Sequence, residues 1–158
     1  MTDALPARSR LVAASLDAAG IDGRIVVLPD AAATAVLAAA ALGVDVGAIA
    51  NSLVFWSDDE PQLVMTSGAH RVDTTALAER LGRGGIRRAT PDQVLAATGQ
   101  PIGGVAPTGH PQPLTTVVDE DLAAFPEIWA AGGTPHTVFP LTFAELVRLT
   151  GGRVTRVA

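Results

Sequence analysis

The sequence contains no cysteine and no lysine, and only 17% of its residues are charged. The absence of cysteine excludes disulfide bonds, thiolate nucleophiles and cysteine-ligated metal sites. All 11 basic residues are arginines, which excludes Schiff-base chemistry, a lysine general base and a phosphate-binding P-loop. The net charge of −5 argues against a general nucleic-acid coat. This net charge does not exclude a local basic patch.

Signals for targeting and membrane insertion are also missing. The N-terminal residues MTDALPARSR lack the basic-then-apolar order of a signal peptide. The longest apolar run, residues 31–44, is interrupted by Thr34 and Gly43 and is too short to span a bilayer. We therefore expect a soluble, cytoplasmic protein with no membrane partner. A length of 158 residues with 48% hydrophobic residues predicts a single domain over residues 1–158 with a sizeable core.

Short apolar runs and glycine- or proline-containing turns predict clusters of strands separated by helices. Predicted helices cover residues 6–19, 31–42 with Asp30 as cap, 74–81, 91–97 and 143–149. Predicted strands cover residues 24–28, 51–57, 62–66, 86–89, 114–118, 127–131, 137–141 and 154–157. This order favours an α+β (mixed α/β) fold, a single compact domain with one mixed or barrel-like sheet and flanking helices.

The most unusual stretch is residues 99–110, GQPIGGVAPTGH. Its glycines let a ligand approach the backbone closely, and its two prolines restrict the chain. The apolar Ile102 and Val105 distinguish it from a flexible linker. One interpretation is a shaped loop whose N–H groups face an anion or a polarised carbonyl. The alternative is a tight turn between two elements.

Other polar residues give weaker signals. The three histidines, His70, His110 and His136, lie in glycine-containing loops, where a histidine is either functional or simply a surface or hydrogen-bonding residue. Their spacing is not that of a metal site and no acidic cluster accompanies them, so we expect neither a metal nor a cofactor. The clustered arginines 80–88 form either a solvated face or a phosphate-contacting patch.

Several motifs occur together in one order: IANSLVF, TSGAHRVD, ATPDQVLAATG, GGVAPTGH, VVDEDL, AAGGTPH and PLTFAELVRLTGG. This order resembles the YbaK family, also called the prolyl-tRNA-synthetase-associated editing domain, over about residues 31–152. Residues 103–107 match the family's GxxxP loop, and Asp73 matches an acidic residue that follows the family's glycine loop. Ala131, Gly132 and His136 match an AGxxxH turn found in the alanine-specific members and in many stand-alone homologues.

The resemblance implies hydrolysis of the ester of mischarged tRNA in trans, often tRNA for proline carrying alanine or cysteine. It implies prolyl-tRNA synthetase as a further partner. The loop N–H groups would hold the carbonyl oxygen, while the substrate's ribose hydroxyl or a water takes part in attack. The implied catalytic residues are Asn51, Gly103, Gly104, Val105 and His136, which we expect to converge on one cleft. The implied substrate-binding residues are Ser52, Ser67, Gly68, Pro107, Gly109, His110, Gly132 and Gly133. The candidate tRNA contacts, which the clustering of basic residues suggests, are Arg80, Arg83, Arg87 and Arg88.

One residue departs from the family pattern. Asn51 stands where the family usually has a lysine, and asparagine offers hydrogen bonds but no charge. Two hypotheses follow. The protein is a deacylase, or it is a weak or inactive binding module for aminoacyl esters or small amino acids. A sequence-specific DNA-binding protein is a third hypothesis, and the negative net charge and the absence of a recognition helix argue against it.

Overall fold

Five α-helices and eight β-strands make up the described part of the chain, residues 5–22, 24–30 and 34–158 of a computed structural model. The helices are α1 (Ala7–Ala18), α2 (Ala35–Leu42), α3 (Thr74–Leu81), α4 (Pro91–Thr98) and α5 (Phe143–Thr150). The strands are β1 (Val26–Val27), β2 (Ile49–Ser57), β3 (Glu60–Ser67), β4 (Arg87–Arg88), β5 (Thr115–Asp119), β6 (Ile128–Ala131), β7 (Thr137–Leu141) and β8 (Arg153–Thr155). Short 3₁₀ helices, Val46–Ala48 and Glu120–Ala124, precede β2 and follow β5.

The strands form one mixed sheet in the order β1-β7-β6-β2-β3-β5-β8, with β4 attached to β2. Strand β2 pairs antiparallel with β3 and β4 but parallel with β6. Strand β3 pairs parallel with β5, and β5 pairs parallel with β8. The predicted α+β domain on a mixed sheet is confirmed.

The β2–β3 hairpin is longer than the sequence pattern predicts. Asp58 and Asp59 both have positive φ, 51° and 63°, as a two-residue type I′ turn requires. Glu60 and Pro61, which lie before the predicted strand 62–66, therefore already belong to β3, and Glu60 pairs with Ser57. Aspartate tolerates this backbone conformation better than most residues do.

Apolar side chains cover both faces of the sheet. Leu63 and Met65 join a large cluster with Leu16 of α1 and Phe139 of β7. Val64, which points to the opposite face, packs in a second cluster with Phe55, Leu77, Val117 and Val157. The central hairpin is therefore buried on both faces, as its near-continuous apolar sequence predicts.

Local capping decides where the helices begin. Thr90 with Gln93, and Thr142 with Glu145, form the capping boxes of α4 and α5. The prediction that Asp30 caps α2 is wrong, because the Thr34 hydroxyl accepts the Leu37 N–H at 3.2 Å and α2 begins at Ala35. The first residues of the predicted helix, 31–33, lie outside the described residues. Of the helices described, none combines the length and hydropathy that a membrane crossing needs.

Candidate active site

A gap in the sheet lies along the outer edge of β2. Strand β2 pairs with β3 over its whole length, but on its other side it pairs only with β6 at residues 49–50 and with β4 at residues 55–56. The Ala89 N–H donates to the Val54 carbonyl at 3.1 Å and closes one end of the gap. Backbone groups of successive strand residues point to alternate sides. The N–H and C=O of Ser52 therefore point into the gap, without a strand partner among the described residues.

This gap opens into a cleft of about 650 Å³. Residues 51–55 of β2 line one wall, and Ile102, Gly103 and Val105 of the 99–110 loop line another. Thr66 and residues 70–72, at and after the end of β3, complete the lining together with other residues. The structure thus brings Asn51 and the glycine loop, far apart in the sequence, to one cleft.

The 99–110 loop is braced and its central residues 104–107 are buried, as the shaped-loop interpretation requires. Gly103 has a φ of +86°, a conformation that favours glycine. Ala106 is fully buried, and its N–H donates to the Gln100 side chain at 2.7 Å. A Cβ on Gly104 would lie 2.6 Å from Thr134 Cα and 2.7 Å from the nitrogen of Pro135. The loop therefore packs directly on the backbone of the β6–β7 turn.

The bracing leaves the N–H groups of two cleft-lining residues unused. The Gly104 N–H donates to the Pro101 carbonyl at 3.0 Å, so it is occupied, as is that of Ala106. The N–H groups of Gly103 and Val105 have no hydrogen bond to any described residue. Both residues line the cleft. An oxyanion site in this loop would use these two donors, with Gly104 contributing packing rather than a donor.

A small side pocket adjoins the same loop. Its volume is about 30 Å³, which accommodates one or two groups the size of a water or a methyl. The walls come from α2, the start of β2, the loop, β6 and Val138. Asn51, Ser52, Gly103 and Val105 line both the side pocket and the large cleft. They therefore mark the junction where a ligand in the cleft would insert a small substituent.

Asn51 and Ser52 point to opposite faces of β2. Asn51 is half-buried, and its amide makes no hydrogen bond to any described residue. The structure thus gives no sign that Asn51 stabilises the start of the strand. The Ser52 hydroxyl donates to Met65 Sδ at 3.2 Å. Of the two, Asn51 has the more available side chain.

His70, which the sequence offered only as one of three loop histidines, also lines the cleft. Its Nε2 lies 2.6 Å from Oδ2 of Asp119, a carboxylate that is 1% exposed. The same oxygen accepts the Ser67 N–H at 2.9 Å and the Thr66 hydroxyl at 3.3 Å. A second carboxylate, that of Asp121, lies 3.7 Å from Nε2. The expectation that no acidic cluster accompanies a histidine is therefore wrong for His70.

Sequence reasoning missed this pair because its members are 49 residues apart. They meet because β3 and β5 run parallel, with Met65 beside Val118, so the residues that follow share one sheet edge. The signal that could have found them is a pair of polar residues at the carboxyl ends of two strands. Their oxygen and nitrogen atoms, with those of Asp121, lie within 4.8 Å of one another.

The β6–β7 turn supports the loop rather than lining the cleft. His136 is exposed and is not among the lining residues, and its backbone carbonyl accepts the Leu28 N–H at 2.7 Å. A Cβ on Gly132 would meet Thr137 at 3.0 Å, and one on Gly133 would meet the Arg8 backbone at 3.2 Å. These glycines permit close packing behind the site.

The remaining candidate residues have structural surroundings outside the cleft. The Ser67 hydroxyl donates to the Gly47 carbonyl at 2.8 Å, and Gly68 packs against Ala35 and Val46. Pro107, Gly109 and His110 line a separate hollow next to α1. Burial lowers the pKa of His110, although its hydrogen bond to the Ala106 carbonyl, at 2.8 Å, acts in the opposite direction.

The four clustered arginines do not form one patch. Arg83 lies 3.3 Å from Asp58 and 3.9 Å from Glu60, and Arg80 donates to the Arg156 carbonyl at 2.8 Å. Arg87 donates to Gln93 at 3.4 Å. Arg88 lies over the Phe55 ring, 6.0 Å from its centroid, and lines the cleft.

Arg71 also lines the cleft, although the sequence analysis did not select it. Positive charge at the cleft therefore comes from two exposed arginines on different elements. Such a pair is suited to a polyanionic ligand that enters from solvent.

Comparison with known proteins identifies the family. The model of the aminoacyl-tRNA editing domain matches residues 29–149. The chain belongs to the aminoacyl-tRNA editing domain family. YwhH of Bacillus subtilis (strain 168), an uncharacterized protein, is 31% identical over 123 residues, 77% of this chain and 78% of YwhH.

Of three further similar proteins, two have names that mention proline. A 68-residue stretch is 35% identical to part of the proline–tRNA ligase of Nitratidesulfovibrio vulgaris (strain DP4), covering 43% of this chain and 12% of the ligase. A solved structure described as a candidate trans-editing enzyme for prolyl tRNA synthetase is 41% identical, with a TM-score of 0.89 over 98% of each chain. The solved protein APE2540 is 28% identical, with a TM-score of 0.85 over 93% of this chain and 98% of that one.

Proposed function

We propose that this editing domain is a deacylase that hydrolyses the ester of mischarged tRNA in trans. The observation that carries the proposal is the pair of unused N–H groups, those of Gly103 and Val105, at the cleft that Asn51 also lines. Membership of the editing-domain family supports the same substrate class.

The proposed chemistry requires little from the protein. An aminoacyl ester is already activated, so positioning and stabilisation of the developing oxyanion suffice for cleavage. In the proposed complex the ester carbonyl accepts from the Gly103 and Val105 N–H groups. The terminal ribose lies beside the Asn51 amide. At this position the family usually has a charged lysine, whereas asparagine offers hydrogen bonds without charge. One such oxyanion donor contributes about 3–4 kcal/mol to the barrier reduction.

The side pocket limits the size of the amino-acid side chain. Its volume of about 30 Å³ matches one or two methyl-sized groups, so it suits a short side chain better than a bulky one. We therefore propose alanine as the preferred amino acid, with serine or cysteine as larger competitors. The similarity to a proline–tRNA ligase and to a candidate trans-editing enzyme supports tRNA for proline as the carrier. Prolyl-tRNA synthetase is the corresponding proposed partner.

The proposal is tested by amino-acid release from tRNA for proline charged with alanine, cysteine, serine, valine or proline. We expect release of alanine to be fastest and valine and proline to remain bound. Asn51→Ala should lower the rate and leave the Tm nearly unchanged, since the Asn51 amide has no hydrogen bond to the described residues. Faster release of valine than of alanine would reject the assignment of the side pocket.

A second candidate function, a binding module, is supported by the uncharged residue at position 51. Under this alternative the wild type binds an aminoacyl ester and shows no hydrolysis above buffer with any charged tRNA. Asn51→Lys would then restore some turnover, because a charged donor makes a hydrogen bond about twice as strong as a neutral one. The release assay, run with the wild type and both position-51 variants, separates the two functions.

A further inference from the structure

We propose that His70, oriented by Asp119, is the general base and general acid of this deacylase. The inference rests on the proposed function and adds to it the group that moves the proton. Two loop N–H groups stabilise an oxyanion, but hydrolysis also requires a proton to leave the attacking water and another to reach the departing ribose oxygen.

Elimination among the cleft residues points to His70. Among the described residues that line the cleft and the side pocket, the titratable ones are His70, Arg71 and Arg88. Arginine remains protonated throughout the accessible pH range and cannot accept a proton. His70 is therefore the lining side chain that can both accept and donate a proton.

The hydrogen bonds around His70 determine which ring nitrogen is available. Oδ2 of Asp119 already accepts from the Ser67 N–H and the Thr66 hydroxyl, while Oδ1 accepts the Asp121 N–H at 3.0 Å. This carboxylate acts as an acceptor, so His70 Nε2, 2.6 Å away, carries the donated hydrogen. The Asp121 carboxylate, 3.7 Å from Nε2, favours a proton on the same nitrogen. In the neutral ring, Nδ1 then holds the lone pair, and it makes no hydrogen bond to any described residue.

Sheet register places this pair next to Asn51. Thr66, which donates to Asp119, is the partner of Asn51 across β2 and β3. Directly opposed residues in an antiparallel pair point to the same face, with Cβ atoms about 4.5–5.5 Å apart. The Asn51 side chain and the His70–Asp119 pair therefore share one face of the sheet, and Asn51 and His70 both line the cleft. Both arginines that line the cleft, Arg71 and Arg88, provide positive charge near the same substrate.

The proposed step balances as follows. Nδ1 of His70 removes a proton from water as its oxygen bonds to the ester carbonyl carbon, and the carbonyl electrons move to the oxygen held by the loop. The intermediate then collapses, the bond from carbon to the ribose oxygen breaks, and that oxygen takes the proton from Nδ1. The products are the free amino acid and tRNA with a free terminal hydroxyl. His70 returns to its starting form, and Asp119 orients the ring without taking up a proton.

The test compares His70→Gln, His70→Ala and wild type in alanine release from tRNA for proline across pH 5–8.5. Glutamine can place an amide N–H near the position of Nε2 and keep the contact to Asp119, but it cannot accept the proton. We expect wild-type kcat to fall as the pH is lowered, because an imidazolium ring carries a hydrogen on both nitrogens and has no lone pair to accept another. His70→Gln should lose about 10²–10⁴-fold in kcat with KM little changed, and its pH dependence should flatten. A nitrogen-detected NMR spectrum of wild type should show that the neutral His70 ring carries its hydrogen on Nε2.

Each other outcome has a distinct meaning. If wild type releases no amino acid, the proposed function and the role of His70 both fail. If wild type is active and His70→Gln keeps its rate while His70→Ala loses both stability and rate, His70 is structural and only this inference is overturned. An increase of wild-type kcat as the pH is lowered would also overturn it, because His70 would then act as a cation.

Discussion

Replacing Gly104 by alanine tests whether the loop is held in place by its packing on the β6–β7 turn. The new Cβ would lie 2.6 Å from Thr134 Cα and 2.7 Å from the nitrogen of Pro135, and both are backbone atoms. Neither can rotate away as a flexible side chain could, so the loop or the turn must shift. Overpacking of this kind costs about 1–3 kcal/mol. For a domain of this size we expect the Tm to fall by about 2–12 °C.

The same shift should move the two proposed oxyanion donors, which flank Gly104 in the sequence. A displacement of this order in a catalytic group can cost about a hundredfold in rate. Gly85→Ala is the matched control, because its new Cβ would meet no atom within 4 Å. We expect this control to stay within about 0.5 kcal/mol of wild type. Thermal melts and alanine release per folded molecule measure both effects. Equal melting temperatures for the two variants would refute the packing argument.

Two further predictions concern charge. Arg88→Gln should weaken binding of tRNA and reduce the slope of log Kd against log salt by about 0.7–0.9, because one cation fewer faces the phosphates. Arg24→Gln, which removes an exposed arginine 4.0 Å from Glu127, is the control, and equal slopes for the two variants would place the phosphates elsewhere. Burial lowers the pKa of His110 below its ordinary value of 6.5, so the unfolded chain takes up this proton at a higher pH than the folded one. The free energy of unfolding should therefore decrease as the pH falls below about 6.5, and less steeply in His110→Gln. Urea denaturation at several pH values measures this, and the same pH dependence in both proteins would contradict it.

Local interactions explain the parts of the structure that the sequence predicted well. A capping box is completed within three residues, so Thr90 with Gln93 and Thr142 with Glu145 mark helix starts without reference to the rest of the chain. The apolar run in β2 is likewise recognisable by itself. The cap of α2 was missed because Asp30 and Thr34 are both good caps, and only the folded chain selects between them.

The cleft depends on pairings between distant segments, which only the tertiary structure decides. The gap beside β2 exists because β6 pairs with one end of this strand and β4 with the other. The sequence of β2 does not determine where those two strands end. Gly104 lies in a stretch rich in glycine and proline, which is typical of a flexible loop. In the folded chain it is instead buried against the Thr134 backbone. The four arginines are equivalent in sequence, yet only Arg88 of the four reaches the cleft.

His70 and Asp119 show the same division most clearly. The sequence alone places His70 after one strand and Asp119 at the end of another, because each of those strands is a local apolar pattern. The parallel pairing of β3 with β5 decided that the two residues meet, because it aligns the carboxyl ends of strands separated by about 50 residues. The spacing of the two residues in the sequence does not reveal this alignment. The alignment depends on the pairing energy of the whole sheet.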